Sequence, residues 1–548
     1  MWYERNVTIP VLMLLEMGYN QRSYITLMVK TFGGLKVALI DKNFNEKAMN
    51  IIKHKQYMSV NHPGGMMKKL FKNKKLVTVV TASYNAEDFI GKTIQSVLDQ
   101  TLGEDKINHM IIDDGSNDRT TEIVRSYAKV HKNIILIELN ENTGSPGTPR
   151  NIGIELAETE FITFLDADDW LHPEGLQHLV SILQETGDEY VVGKTIKVEK
   201  NGESIIGEFA SVKERRQISP FDVPHFFYHM GPTAKMMRRD ILIENGIRFP
   251  EMKFGEDKLF FSDLFFCAKS VSTTVKPIYF VNRLEENQSS LTRSTDVLDK
   301  RRNDLEVIKY IQSKNLPLHM QKTVLTRIYE YDFLRTFDSQ LFVKSKEKEA
   351  FFEIFNDVIE TTKNLTYDFL EEFKTPFYKV ATRLYTEGRR EDFIRMFTWL
   401  KQEKDKTYTI LNGLPHFELP FLEGDERFIE VPMVAWSTGG EVKDGVFRQT
   451  FSIYGADVAN VNAILIRNRK KVDKEISCEF SIHGNEGSFV VQADEMDHLD
   501  RDLYTVFVRY NEYKLINIKI LPDERIIHNQ KEYKFYATKA NNLGFSIK

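Results

Sequence analysis

From residue 76 onward, short runs that are apolar throughout alternate with amphipathic stretches. The runs at 76–81, 110–112, 134–139 and 161–165 predict strands buried on both faces. Between them Phe89, Ile90, Ile94, Val97 and Leu98 recur at helical spacing, and 120–130 and 151–157 read as further helices. Buried strands separated by helices predict an α/β unit on a parallel sheet, with ligands beyond the carboxyl ends of its strands. From Asp304 to Tyr408 the period is helical, with Leu305, Ile308 and Ile311, then Ile328, Phe333 and Phe337, then Phe351, Phe355 and Val358 on apolar faces. After Pro415 it falls to two, in 464–466, 476–482, 504–508 and 516–520, with turn signals at Asn485, Gly487 and Pro522. This predicts an antiparallel β-sandwich of immunoglobulin-like size.

Four segments follow: 1–65, 66–303, 304–410 and 411–548. The first shows little sustained periodicity. It reads either as an accessory segment or as an extension ahead of a start at Met66 or Met67.

Composition narrows the classes. A chain of 548 residues with net charge -5 gives no electrostatic reason to expect a nucleic-acid partner. Cys267 and Cys478, far apart in apolar runs, read as buried thiols in a reducing compartment. No apolar stretch approaches the roughly 18 to 20 residues of a membrane span, and no leader pattern precedes the catalytic region. A cytoplasmic protein is expected, held at the inner face of a membrane at most by a partner or a lipid-linked substrate.

Polar residues at the strand ends carry the chemistry. The strand at 161–165 runs into Asp166-Ala167-Asp168-Asp169, where oxygen ligands could share Mg²⁺ or Mn²⁺ with a substrate diphosphate. The first strand ends in Ala82-Ser83-Tyr84-Asn85 and the second in Asp113-Asp114-Gly115-Ser116. A base can stack on Tyr84, and a carboxylate at Asp114 can accept the imide N–H of uracil. The competing reading makes Tyr84 edge packing and Asp113 and Asp114 helix N-caps ahead of Thr120.

These motifs, followed by Pro149-Arg150-Asn151-Ile152-Gly153, resemble the family 2 glycosyltransferases of GT-A fold over about residues 66 to 300. The segment Asn142-Thr143-Gly144-Ser145-Pro146-Gly147-Thr148 is similar to wall teichoic acid glycosyltransferases that place N-acetylglucosamine on poly(ribitol phosphate), and to minor teichoic acid synthesis proteins. The resemblance implies a GT-A domain, a helical linker and an immunoglobulin-like C-terminal module. It implies a UDP-sugar donor, a cell-wall or lipid-linked polymer acceptor, and a homo-oligomer formed through the C-terminal module. Tyr84 and Asp114 would hold uracil, Asn142 and Arg150 the nucleotide side, Asp166 the ribose and Asp168 the metal diphosphate. In Gly255-Glu256-Asp257, Asp257 would be the general base and Glu256 would position donor sugar or acceptor. A surface ion pair of Arg150 with Glu155 or Glu158 is the competing reading of that residue. The relatives' downstream histidine is replaced by Asn287, while Ser289, Ser290 and Arg293 could close over the diphosphate.

Other features are expected to be structural. His225 and His229 lack a partnering glutamate of the zincin type. Lys322, Arg327 and Arg335 read as a solvated helix face, and the basic run from Lys68 to Lys75 as solvated too. Trp436, Tyr454 and Tyr510 are candidate sugar-stacking aromatics, each also readable as core. A capsule or exopolysaccharide glycosyltransferase is the alternative within the same chemistry. A nucleotidyltransferase would need a Gly-rich phosphate loop that 81–85 does not supply. A non-catalytic carbohydrate-binding protein would not need Asp166, Asp168 and Asp257.

Overall fold

The apolar runs assemble as strands that leave their carboxyl ends together. Phe161–Phe164, Val77–Ser83, Ile107–Asp113 and Ile134–Glu138 are parallel neighbours, with Val80 beside Phe164, Ser83 beside Asp113 and Asp113 beside Glu138. The computed structural model describes residues 75–223, 225–284, 296–404, 406–497, 499–519, 525–528, 531–540 and 542–548, and the strands Met13–Tyr19, Arg22–Thr31 and Gly34–Asp41. These three strands form an antiparallel meander in a segment whose sequence predicts no regular period. Lys68 to Lys74 of the basic run lie outside the described residues.

The four strands read from the sequence are the parallel ones, as expected, and later strands of the sheet add antiparallel pairings. Lys235–Arg238 runs antiparallel to Phe161–Phe164 and to Tyr190–Glu199, and Arg215–Ile218 runs antiparallel to Val271–Asn282. Antiparallel neighbours need no crossover helix, although helices Gly175–Thr186 and Glu256–Cys267 still lie in the connections of these later strands. Helices Ile90–Leu98 and Thr120–Val130 bury Ile90, Ile94 and Val124 with Ile111 and Ile134. Helix Gly147–Leu156 approaches the first strand at Gly153, where a Cβ would lie 2.3 Å from a Val80 methyl. The glycine is therefore required by the close approach of the helix to the Val80 side chain.

The chain divides into two compact units, Met1–Lys197 with Lys213–Gln288, and Val198–Val212 with Ser289–Lys548. In the second unit, helices from Val297–Ser313 to Arg390–Gln402 surround an aromatic core in which Phe337 meets Phe342, Phe352, Phe355 and Phe393. A π-helical stretch, Arg327–Leu334, turns charged residues inward. Arg327 is buried against Asp332, Lys322 donates to Glu372 at 2.6 Å, and Arg335 donates to the Tyr331 hydroxyl. The expected solvated basic face is thus corrected at Arg327, which is buried, while Arg335 is exposed and Lys322 part-exposed.

The C-terminal strands close on themselves. Val461–Asn468, Glu475–His483, Glu486–Gln492, Val446–Gly455, Met433–Lys443, Lys514–Lys519 and Leu503–Tyr510 pair in that order, and Leu503–Tyr510 pairs back onto Val461–Asn468. Glu475–His483 makes the corner, pairing Glu475 to Cys478 with one neighbour and Glu479 to His483 with the next. The ladder is a closed, barrel-like sheet around Phe447, Phe451, Ile466, Val506 and Phe545, so it does not separate into the two sheets of an immunoglobulin-like sandwich. Tyr510 belongs to this core, whereas Trp436 and Tyr454 are half-buried against each other. Cys478 is buried as expected. Cys267 is exposed, because it ends helix Glu256–Cys267 beyond the apolar face that buries Phe260, Phe261, Leu264 and Phe265. Among the described residues no helix is long and apolar enough to cross a membrane.

Candidate active site

The parallel register brings three strand ends to one rim. Tyr84 stands 48% exposed there, a ring with a free face. Asp113 is consumed by the loop, accepting from Ser83 Oγ at 3.1 Å and from Ser116 N at 2.9 Å and Oγ at 2.6 Å. Neither Asp113 nor Asp114 caps the following helix. Asp118, one residue ahead of the cap position Arg119, accepts from Thr120 N at 2.9 Å instead. Asp114 accepts from Thr143 N at 3.0 Å and Thr143 Oγ1 at 3.1 Å, and burial pushes its carboxyl up to about 6 against those bonds. Gly115 lets the two loops meet: at φ 74° its missing Cβ would fall 2.8 Å from the Glu141 carbonyl carbon. Asn142, exposed at this junction, uses its side-chain oxygen to accept from Gly144 N at 2.7 Å.

The acidic triplet is held as a turn of defined shape. Thr93 Oγ1 lies 2.8 Å from the carbonyl oxygens of both Ala167 and Asp169. The Tyr279 hydroxyl donates to Asp169 Oδ2 at 2.8 Å and accepts from Asp166 N at 3.0 Å, while Asn282 N donates to Asp169 Oδ1 at 2.7 Å. Asp169 is therefore a buried brace, and Asp166 and Asp168 are left half-buried at the rim. No group of three or more His, Cys, Asp or Glu among the described residues could hold an ion alone. A single rim carboxylate suits Mg²⁺ or Mn²⁺ that takes its remaining ligands from substrate phosphates and water. Asp168 would be the protein ligand, and the bound ion would neutralise charge developing on a departing diphosphate.

Arg150 joins this turn to the second acidic element. Only 4% exposed, it donates from Nη2 to Asp166 Oδ1 and from Nη1 to Asp257 Oδ1, each at 2.9 Å, with Glu256 Oε1 at 3.6 Å. It thus bridges Asp166 at the rim and the expected base Asp257, and the surface pairing with Glu155 is excluded because Arg248 takes that carboxylate. Its neighbours explain the surrounding motif: Asn151 exchanges hydrogen bonds of 2.8 and 2.9 Å with the Phe249 backbone, and the Phe249 ring lies 5.2 Å from the guanidinium. Burial and the charge of Asp257 push Glu256 up to about 8, and burial raises Asp257 although Arg150 pulls it down. Burial works against the guanidinium's charge, yet Asp257, Asp166 and Glu256 together raise Arg150.

The structure thus brings Tyr84, Asp114, Asp166, Asp168, Arg150, Glu256 and Asp257 into one unit. Asn287, Ser289, Ser290 and Arg293 lie outside the described residues. His229 is buried, its Nε2 3.1 Å from Thr233 Oγ1, in keeping with a structural role. Sequence reasoning missed Tyr279 and Lys235. The signal for the second was a cation inside an apolar strand, Ala234-Lys235-Met236-Met237.

Residues 78–246 match the model for glycosyl transferase family 2. The chain is 27% identical over 356 residues to the poly(ribitol-phosphate) beta-glucosyltransferase of Bacillus spizizenii, covering 63% of this chain and 54% of that protein. Against the Staphylococcus aureus poly(ribitol-phosphate) beta-N-acetylglucosaminyltransferase TarS the match covers 49% of the relative, so the chain spans about half the length of these two. The crystal structure of S. aureus TarS superposes with a TM-score of 0.53 at 18% identity over 86% of this chain and 85% of that one, which establishes a shared fold. With 30% identity over 229 residues to S. aureus TarP, 40% of this chain and 68% of that protein, the chain belongs to the family 2 glycosyltransferases.

Proposed function

We propose that this protein is an inverting, metal-dependent UDP-sugar glycosyltransferase that modifies a hydroxyl of poly(ribitol phosphate), with N-acetylglucosamine as the sugar. The observation that carries the reading is Arg150, which ties the acid at the nucleotide rim, Asp166, to the acid placed for proton removal, Asp257. Tyr84 offers a stacking face and Asp114 an acceptor for the uracil imide. Asp166 serves the ribose, and Asp168 would hold the ion. Asp257 takes the acceptor proton as that oxygen attacks C1 opposite the departing UDP. Glu256, pushed up to about 8 by burial and then by Asp257, can donate a hydrogen bond to donor or acceptor when it carries its proton. The names of the relatives support the acceptor: TarP and TarS are named for N-acetylglucosamine and the Bacillus relative for glucose, all on poly(ribitol phosphate). A TarS fragment in complex with UDP-GlcNAc supports the donor class. Self-association through residues 411–548 stays in the proposal on the resemblance alone.

The test pairs UDP-N-acetylglucosamine and UDP-glucose with poly(ribitol phosphate). Transfer from the first, lost in excess EDTA and lowered roughly a hundredfold by Asp168→Ala with little change in Tm, is the expected result. Full activity in EDTA would overturn the metal dependence, and preference for UDP-glucose would reassign the sugar.

Asp114 makes donor binding pH-dependent. Its carboxylate must be ionised to accept the imide N–H well, so KM for the UDP-sugar should rise by up to about tenfold per unit as pH falls below about 6. Asp114→Asn should bind weakly without that dependence. An equal pH response in variant and wild type would remove Asp114 from the donor site.

A further inference from the structure

Lys235 is the deepest cation of the catalytic unit and has no place in the reaction as described so far. It lies on strand Lys235–Arg238 with 1% exposure, a burial that lysine rarely accepts without a partner. Its backbone is fixed, because Thr163 Oγ1 donates to the Lys235 carbonyl at 2.5 Å. Its ammonium donates to the Thr233 carbonyl at 3.2 Å and stands 5.3 Å from the centre of the Phe261 ring. Phe261 is four residues beyond Asp257 on helix Glu256–Cys267, so the ammonium stands over the helix face that Asp257 shares.

The charge balance explains why a second cation is needed there. Asp257 faces Arg150 from helix Gly147–Leu156, Asp166 from the strand end, Glu256 from its own turn and Lys235 from the antiparallel strand. Lys235 faces Asp257 and His229, and burial keeps His229 neutral. Arg150 alone would otherwise oppose two part-buried carboxylates, Asp166 and Asp257, with the raised Glu256 carboxyl beside them. Adding Lys235 gives two cations for two anions.

We propose that Lys235 is a positioning residue for the transfer reaction, an internal counter-charge that keeps Asp257 ionised and ready to take the acceptor's proton. This rests on Asp257 being the base. Burial lowers Lys235 to about 7 and the negative charge of Asp257 opposes that fall, so each group supports the other's charge. Removing the ammonium should raise the proton affinity of Asp257 while leaving the nucleotide rim untouched.

The experiment measures the pH dependence of kcat/KM, KM for UDP-N-acetylglucosamine and Tm in Lys235→Met, Lys235→Gln, Lys235→Arg and Asp257→Asn. Methionine matches the stem without the charge, glutamine can still donate to the Thr233 carbonyl, and arginine keeps the charge. The expected result is an acidic limb moved up by about one pH unit in the two uncharged variants, with kcat near pH 7 about tenfold lower and regained at higher pH. KM should be unchanged, and Lys235→Arg should restore the limb. A limb that coincides with wild type in either folded uncharged variant overturns the proposal, as does loss of folding in both. If Asp257→Asn turns over normally, the assignment of the base fails instead, and the two failures are told apart.

Discussion

Asp257→Asn should retain UDP-sugar affinity and fold while turnover falls by roughly two to four orders of magnitude. Asparagine keeps the shape, and its oxygen can still accept from Arg150 Nη1, which sits 2.9 Å from Asp257 Oδ1. It cannot take a proton. The loss of one buried charge is absorbed locally: the charge of Asp257 is a cause of the raised Glu256 carboxyl, so without it Glu256 ionises more readily and pairs with Arg150. Glu256 does not inherit the chemistry, because its side chain is 7% exposed against 25% for Asp257. Steady-state kinetics with a binding measurement for the UDP-sugar check this. Normal turnover would reduce Asp257 to a helix N-terminal residue stabilised by the macrodipole.

Arg150→Met should cost roughly 3 to 5 kcal/mol of stability and abolish most of the activity, since it removes the one cation shared by three carboxylates. The penalty should depend on pH with a definite sign. Glu256 already has a folded pKa raised to about 8, above its ordinary value of 4.5, and without Arg150 it rises further. A carboxyl raised on folding contributes stability that is complete below its unfolded pKa and is lost as pH rises through the folded one. The variant should therefore fall further behind between about pH 6 and about pH 9: the penalty is constant up to about 8, where folded Glu256 is protonated in both, and grows above it, where the wild-type carboxyl ionises first. Denaturant unfolding at both values checks it. A penalty below about 1 kcal/mol at both would mean that Arg150 behaves as an exposed ion pair.

What the chain determined by itself was local. Buried strands with polar ends could be read at Tyr84, Asp114 and Asp166 to Asp168 because strand burial and strand termination are written in neighbouring residues. The acidic first turn at Glu256 and Asp257 was legible for the same reason, and so was the period-two pattern of the C-terminal strands. Tertiary structure alone decided which distant groups meet. Arg150 could be assigned from sequence to Glu155 or Glu158, a few residues away, yet its partner is Asp257, 107 positions on. Asp169 looked like a third acid of the metal motif until Tyr279 and Asn282 claimed both its oxygens. Closure of the C-terminal ladder hangs on Glu475–His483 changing partners midway, a matter of twist and register that alternation does not encode. Lys235 was hidden for the converse reason: a cation in an apolar strand is costly to bury, and only the fold supplies the carboxylate, Asp257, whose charge offsets that cost.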